Sequence, residues 1–172
     1  MKILLVNPPD KNTISEAPSK DGKSFLEPED FGTFPPLGLL YIAAYLEKHA
    51  PEHEIQVIDC VGEKCSHADL SDKIVAFSPD VVGVTSFTVS LIDVLMVAET
   101  AKRLNPKVFT VLGGHHPIAF PFEAVSLAAF DCIVCGEGEH AFYDLINALD
   151  NGDEFTGILG LYTKESIEEH RG

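Results

Sequence analysis

The sequence predicts an α/β fold in which a parallel sheet is covered by helices on both faces, and three observations carry that expectation. Short runs of near-continuous apolar residues, such as Ile3-Leu-Leu-Val6 and Val81-Val-Gly-Val84, alternate with longer stretches whose apolar residues recur at helical spacing. A strand that is apolar at every residue has both faces buried, as in parallel sheets flanked by helices and unlike half-wet antiparallel ones. Three runs end in small or hydroxylic residues, at Thr85-Ser86, Gly113-Gly114 and Gly136-Glu137-Gly138. Ligands of open parallel sheets bind at such carboxyl ends, where the connections reverse direction.

Ile3 to Val6 is the first strand, and Asn7-Pro8-Pro9 ends it. From Asp10 to Thr33 the chain turns polar, with Pro18, Gly22, Pro28 and Gly32; compact domains keep loops of this length for function or leave them without order. Pro35-Pro36 opens a helix, because a proline in the first turn gives up only an N–H that has no partner there. Leu37, Leu40, Tyr41, Ala44 and Tyr45 mark its expected buried face. Glu54 to Ile58 is the second strand and ends at Asp59-Cys60; Ser71 to Phe77 is a short helix stopped by Ser78-Pro79. Val81 to Phe87 is the third strand.

Ser90 with Asp93 resembles a capping box. The helix it opens carries Leu91, Ile92, Leu95, Met96, Ala98, Ala101 and Leu104, and Asn105-Pro106 closes it. Lys107 to Leu112 is the fourth strand, a short helix lies near Phe122 to Ala128, and Asp131 to Cys135 is the fifth strand. A last helix, from Glu139 to Leu149, buries Phe142, Leu145, Ile146 and Leu149. From Asp150 the pattern dissolves, and Gly160 to Lys164 begins an element that the chain does not finish. The expected organisation is one domain over 1–150 and the start of a linker over 151–172.

Composition narrows the classes. The 172 residues are enough for one domain with a real core. The chain is 45% apolar, yet no run approaches the ~18–20 residues of a membrane span. Met1 to Val6 is too short, and too soon followed by prolines, for a signal peptide, so a cytoplasmic protein is expected. A net charge of −15, from 27 acidic against 12 basic residues, argues against gripping a nucleic-acid backbone. The four cysteines read as free thiols. Cys132 and Cys135 stand three apart on a strand and point to opposite faces, and Cys60, Cys65 and His67 fit no zinc spacing.

Several nucleotide-binding folds fail at the first strand end. Asn7-Pro8-Pro9-Asp10 stands where a dinucleotide-binding domain needs G-x-G-x-x-G and where a P-loop needs its glycines and lysine. Gly136-Glu-Gly-Glu139 is acidic where a helix begins, which suits the helix dipole but repels a phosphate. Single glycines at strand ends serve tight turns. Gly83, Gly113, Gly114, Gly136 and Gly138 together, on neighbouring ends, suggest a shelf that admits a flat heteroaromatic group, with the Thr85 and Ser86 hydroxyls bonding its nitrogen or ribose.

On these residues the chain resembles a known family. Leu4-Leu-Val-Asn-Pro-Pro9, Pro35-Pro-Leu-Gly-Leu-Leu-Tyr-Ile-Ala43, Val82-Gly-Val-Thr-Ser86, Gly113-Gly-His-His-Pro117 and Cys135-Gly-Glu-Gly-Glu139 resemble the amino-terminal cobalamin-binding domain that precedes radical S-adenosylmethionine domains. That family includes methyltransferases and anaerobic magnesium-protoporphyrin monomethyl ester cyclases. The resemblance implies a flavodoxin-like (Rossmann-like), doubly wound, five-stranded parallel sheet of order 2-1-3-4-5. It implies cobalamin across the strand ends, with Asn7, Pro8, Pro9, Thr85, Ser86, Phe87, Gly113, Gly114, His115, His116, Gly136, Glu137, Gly138 and Glu139 as contacts. Thr85 and Ser86 would face the nucleotide tail, Gly113 and Gly114 would let it pass, and Gly136 to Glu139 would close the far side.

Two departures from the family pattern matter. The better-known cobalamin fold carries D-x-H-x-x-G after the first strand, with the histidine on cobalt; Asp10-Lys-Asn12 has none, so the resemblance implies a base-off cofactor without that imidazole. The three-cysteine motif of the radical domain, which would hold an iron–sulfur cluster beside S-adenosylmethionine, is also missing. The chain is therefore expected to be a binding domain that catalyses nothing alone and partners its own radical domain. The polar stretch from Asp10 to Thr33 would cover the upper corrin face or meet that domain, or be an ordinary surface excursion. Two other readings stand beside this one: a cofactor-free interaction module, and an enzyme acting through His115, His116 and Glu137, for which no nucleophile with an oriented base is visible.

Overall fold

The computed structural model describes residues 1–12 and 34–169. The stretch 13–33, on which most of the expected cover over the corrin falls, lies outside the described residues. In chain order the elements are β1 (Lys2–Asn7), α1 (Leu37–His49), β2 (Glu54–Asp59), α2 (His67–Phe77), β3 (Val81–Ser86), a 3-10 turn (Thr88–Ser90), α3 (Leu91–Leu104) and β4 (Phe109–Gly114). Then come α4 (His115–Ala119), α5 (Pro121–Ser126), β5 (Cys132–Val134), α6 (Gly138–Asn151), β6 (Leu161–Tyr162) and α7 (Lys164–Glu169).

The strands form one sheet in the order β2-β1-β3-β4-β5-β6. Its first five members are parallel and follow the expected 2-1-3-4-5 order. The sixth was not foreseen: Leu161 and Tyr162 pair antiparallel with Val134 and Ile133. A strand of two residues is too short to show a period. It is placed by the backbone, with Gly160 at φ +82° and the Cys135 N–H donating to the Gly160 carbonyl at 2.8 Å.

Strand alternation sorts the core into two layers. On one face Ile3, Leu5, Val81, Val111, Cys132 and Val134 pack against Leu39, Ala43 and Leu46 of α1 and against Phe142, Leu145 and Ile146 of α6. On the other, Leu4, Val6, Ile58, Val82, Val84, Leu112 and Ile133 pack against α2, α3 and α5. Cys132 falls in the first layer and Cys135 beside the second, on opposite faces as their spacing requires.

The structure corrects one helix face and defines another. In α1 the buried residues are Leu39, Ala43 and Leu46, whereas Leu37, Leu40 and Tyr41 are exposed. That helix is apolar nearly all round, so its own period does not choose a side. In α3, Val94, Val97, Ala98 and Ala101 are buried, while Ile92, Met96 and Leu104 lie at the surface. The capping box is corrected too: Ser90 makes no side-chain cap, and its hydroxyl instead shares hydrogen bonds with the Phe87 backbone. A true capping box starts α2, four residues before the expected boundary, where the Ser66 and Asp69 side chains each bond the other's backbone N–H.

Candidate functional site

All five parallel strands present their carboxyl ends along one edge, and the alternation decides what each side chain faces there. Asn7, Thr85 and Gly113 continue the rows of Leu5, Gly83 and Val111, toward α1 and α6. Ser86 continues the row of Val84, toward α3 and α5. Gly114, at φ +92°, leaves the strand alternation, and a Cβ there would lie 2.8 Å from the Thr85 hydroxyl.

The glycines divide by the space a Cβ would meet. At Gly113 and Gly136 nothing lies within 4 Å, and the same holds at Gly38 in the first turn of α1. At the ends of β4 and β5, and at the start of α1, a side chain would therefore meet open space. At Gly83 a Cβ would come within 2.9 Å of Leu5 and 3.2 Å of Phe142, and at Gly138 within 2.7 Å of Ile42. Those two let α6 sit close to the sheet and to α1. Gly114 has φ +92°, and a Cβ there would lie 2.5 Å from the Ser86 backbone. The expectation that Gly114 makes room for a ligand fails, because the chain itself fills that room.

Ser86 is buried, and its hydroxyl donates to the Gly113 carbonyl at 2.7 Å. It fixes the strand end that carries the open position. Beside it, the ring of Phe87 stacks on His115 at 4.6 Å and 13° between planes, just past the ends of β3 and β4. His116 is wholly buried; its Nδ1 pairs with the Thr88 hydroxyl at 3.2 Å, and its Nε2 has no partner among the described residues. It ties α4 to the connection after β3.

The Asn7 amide donates to Asp59 at 2.7 Å, and Pro8 and Pro9 are buried, so the first strand end is held by the fold. Glu137 stands at the start of α6 without capping it by its side chain, and Glu139 lies in the first turn. Burial pushes the Cys60 thiol well up, with Cys65 beside it adding to the shift, and burial does the same to Cys132 and Cys135. Burial thus favours the protonated form of these thiols. Among the described residues no group of three or more His, Cys, Asp or Glu is placed to hold a metal ion. No helix among them is long and apolar enough to cross a membrane.

Sequence reasoning missed one constellation. Asp93 is wholly buried at the start of α3 and accepts from the Asn12 backbone N–H at 2.7 Å, from the Asn12 amide at 2.9 Å and from His67 Nε2 at 2.6 Å. An acid three residues into a helix reads locally as a capping residue, which hid its long-range partners. The one available signal was a charge among the otherwise apolar residues at the start of that helix.

The family model of the B12 binding domain matches residues 30–146. The uncharacterized methyltransferase PH0819 of Pyrococcus horikoshii is 38% identical over 167 residues, covering 96% of this chain and 33% of that protein. The anaerobic magnesium-protoporphyrin IX monomethyl ester cyclase of Rubrivivax gelatinosus is 33% identical over 122 residues, 70% of this chain and 22% of the cyclase. Among solved structures, the radical S-adenosylmethionine methyltransferase TsrM from Kitasatospora setae, with cobalamin and an iron–sulfur cluster bound, shares the fold at a TM-score of 0.70 and 23% identity. That match covers 93% of this chain and 28% of TsrM. The chain thus spans a third or less of the length of each of these relatives.

Proposed function

The chain belongs to the B12-binding domain family, and from that premise we propose that it holds cobalamin over the carboxyl edge of its sheet, with the nucleotide tail in a slot over the open ends of β4 and β5. One observation carries the reading: Gly113 and Gly136, on adjacent strand ends, point into open space where any side chain would stand. The slot fits a flat, nucleotide-bearing group, since its floor is free of bulk and Thr85 offers a hydroxyl beside it. Ser86 and Gly114 serve it indirectly, by fixing the backbone of Gly113. Asn7, Pro8 and Pro9 border the first strand end, the Phe87–His115 stack flanks the edge, and His116 orders the loop beneath. The turn from Gly136 to Glu139 closes the far side.

No imidazole from the loop after β1 reaches cobalt in this reading. Asn12 stands where the D-x-H pattern has its histidine, and its amide is committed to Asp93. A cofactor whose nucleotide tail is drawn over the ends of β4 and β5 would be base-off. Bound cobalamin supplies a cobalt ion able to carry a methyl group; the domain binds it, orients it and shields its tail from water. In the longer protein, a radical S-adenosylmethionine domain with its iron–sulfur cluster would act on the corrin's exposed side, in methyl transfer or cyclisation.

The test is direct. The purified chain is mixed with hydroxocobalamin, desalted, and its visible spectrum recorded. Retained absorbance of base-off shape is the expected result. A colourless protein overturns the reading and favours a cofactor-free interaction module.

A further inference from the structure

Asp93 draws together three parts of the chain that are far apart in sequence. Asn12 ends the described part of the loop after β1, His67 opens α2, and Asp93 lies in the first turn of α3; the separations are 81 and 26 residues. A carboxylate can only accept, so His67 donates from Nε2 and its other ring nitrogen is turned away. Asp93 receives a backbone N–H, an amide and an imidazole N–H in a buried setting, where charge-assisted hydrogen bonds are strong. The helix start does not require this arrangement, because the carboxylate is spent on groups outside α3. Its effect is to hold Asn12, five residues beyond Asn7, which is itself held on Asp59 and followed by buried Pro8 and Pro9.

We infer that Asp93 is a positioning residue for cobalamin: through Asn12, and supported by His67, it holds the loop from Asn7 to Asn12 in its binding shape before the cofactor arrives. This rests on the cobalamin reading above. A preformed loop spares binding the entropy of ordering it, so the clamp acts on affinity without touching the cofactor. Asp10 and Lys11, which are exposed between the two pinned ends, are then presented from a fixed backbone.

The experiment compares the wild-type chain with Asp93→Ala, Asn12→Ala, His67→Leu and His67→Gln. Amide hydrogen exchange is read on the cofactor-free proteins, and hydroxocobalamin affinity is read by absorbance titration. The wild-type Asn12 amide is expected to be protected. Asp93→Ala, Asn12→Ala and His67→Leu should speed exchange across Lys11 and Asn12 while Val82 to Val84 and Leu112 stay protected, and should weaken binding about tenfold or more. His67→Gln keeps an N–H donor and should restore both readouts toward wild type, which a residue needed only for bulk would not do. Should Asp93→Ala fail to fold, the two variants at Asn12 and His67 decide. Faster loop exchange with unchanged affinity overturns the inference and leaves the cobalamin reading standing. An unprotected wild-type Asn12 amide also overturns it. A wild-type chain that takes up no hydroxocobalamin overturns both.

Discussion

Adjacent glycines at the end of β4 should behave in opposite ways when a side chain is added. Gly113 has an ordinary strand conformation, and a Cβ there meets nothing within 4 Å. Gly113→Val therefore adds a β-branched residue to a strand at no steric cost, and removing a strand glycine is favourable by about 0.5–1 kcal/mol. Its Tm should hold or rise by about 2–4 °C. The added isopropyl group stands in the slot, however, and overpacking costs about 1–3 kcal/mol. That is roughly 5- to 150-fold in affinity for hydroxocobalamin. Gly114→Ala has the reverse signature. At φ +92° an L-residue is strained, and its Cβ would lie 2.5 Å from the Ser86 backbone nitrogen and oxygen. Strain and overpacking together cost at least about 2 kcal/mol, lowering Tm by about 4–8 °C or more. Differential scanning calorimetry and absorbance titration on both variants give the answer. If Gly113→Val binds hydroxocobalamin as tightly as wild type, the tail does not lie over this strand end.

Three further outcomes follow from the packing. The Cys60 and Cys132 thiols are pushed up by burial, so the folded state keeps protons that the unfolded chain gives up above about pH 8.5. Their contribution to stability is complete below that pH and is lost as pH rises, by about 1.4 kcal/mol per pH unit for each thiol; urea melts at pH 8, 9 and 10 should show the decline, and the Cys60→Ser, Cys132→Ala double variant should flatten it. Asp131 accepts from the Thr110 N–H at 2.7 Å and the Thr110 hydroxyl at 3.0 Å, and also pairs with Lys102, so Asp131→Ala should cost about 2 kcal/mol and lower Tm by about 4–8 °C in a thermal melt. Ser66→Ala removes the cap of α2 and should cost about 1 kcal/mol in a urea titration, while Ser66→Thr, which keeps the hydroxyl, should cost less.

The parallel strands, their order of appearance and the glycine-bearing ends were legible because each depends on residues close in sequence. Val81 to Val84 is apolar without a break, and that alone marks a strand with two buried faces. Helix faces were less legible. In Leu37 to Leu46 nearly every position is apolar, and only the approach of α6 over Ile42, Ala43 and Leu46 shows which side faces the core. The strand Leu161–Tyr162 had no local pattern to give it away, since its partner, β5, lies far back in the chain.

For the candidate site, the sequence by itself determined which strand ends lack bulk and that no histidine stands between Asp10 and Thr33. The tertiary structure decided everything that depends on direction. It left Gly113 open while filling the space at Gly114, and buried Asp93 where Asn12 and His67 converge. The physical reason is range: turn chemistry and periodicity act over a few residues, whereas an empty space or a hydrogen-bond partner is defined by groups that only the folded sheet brings together.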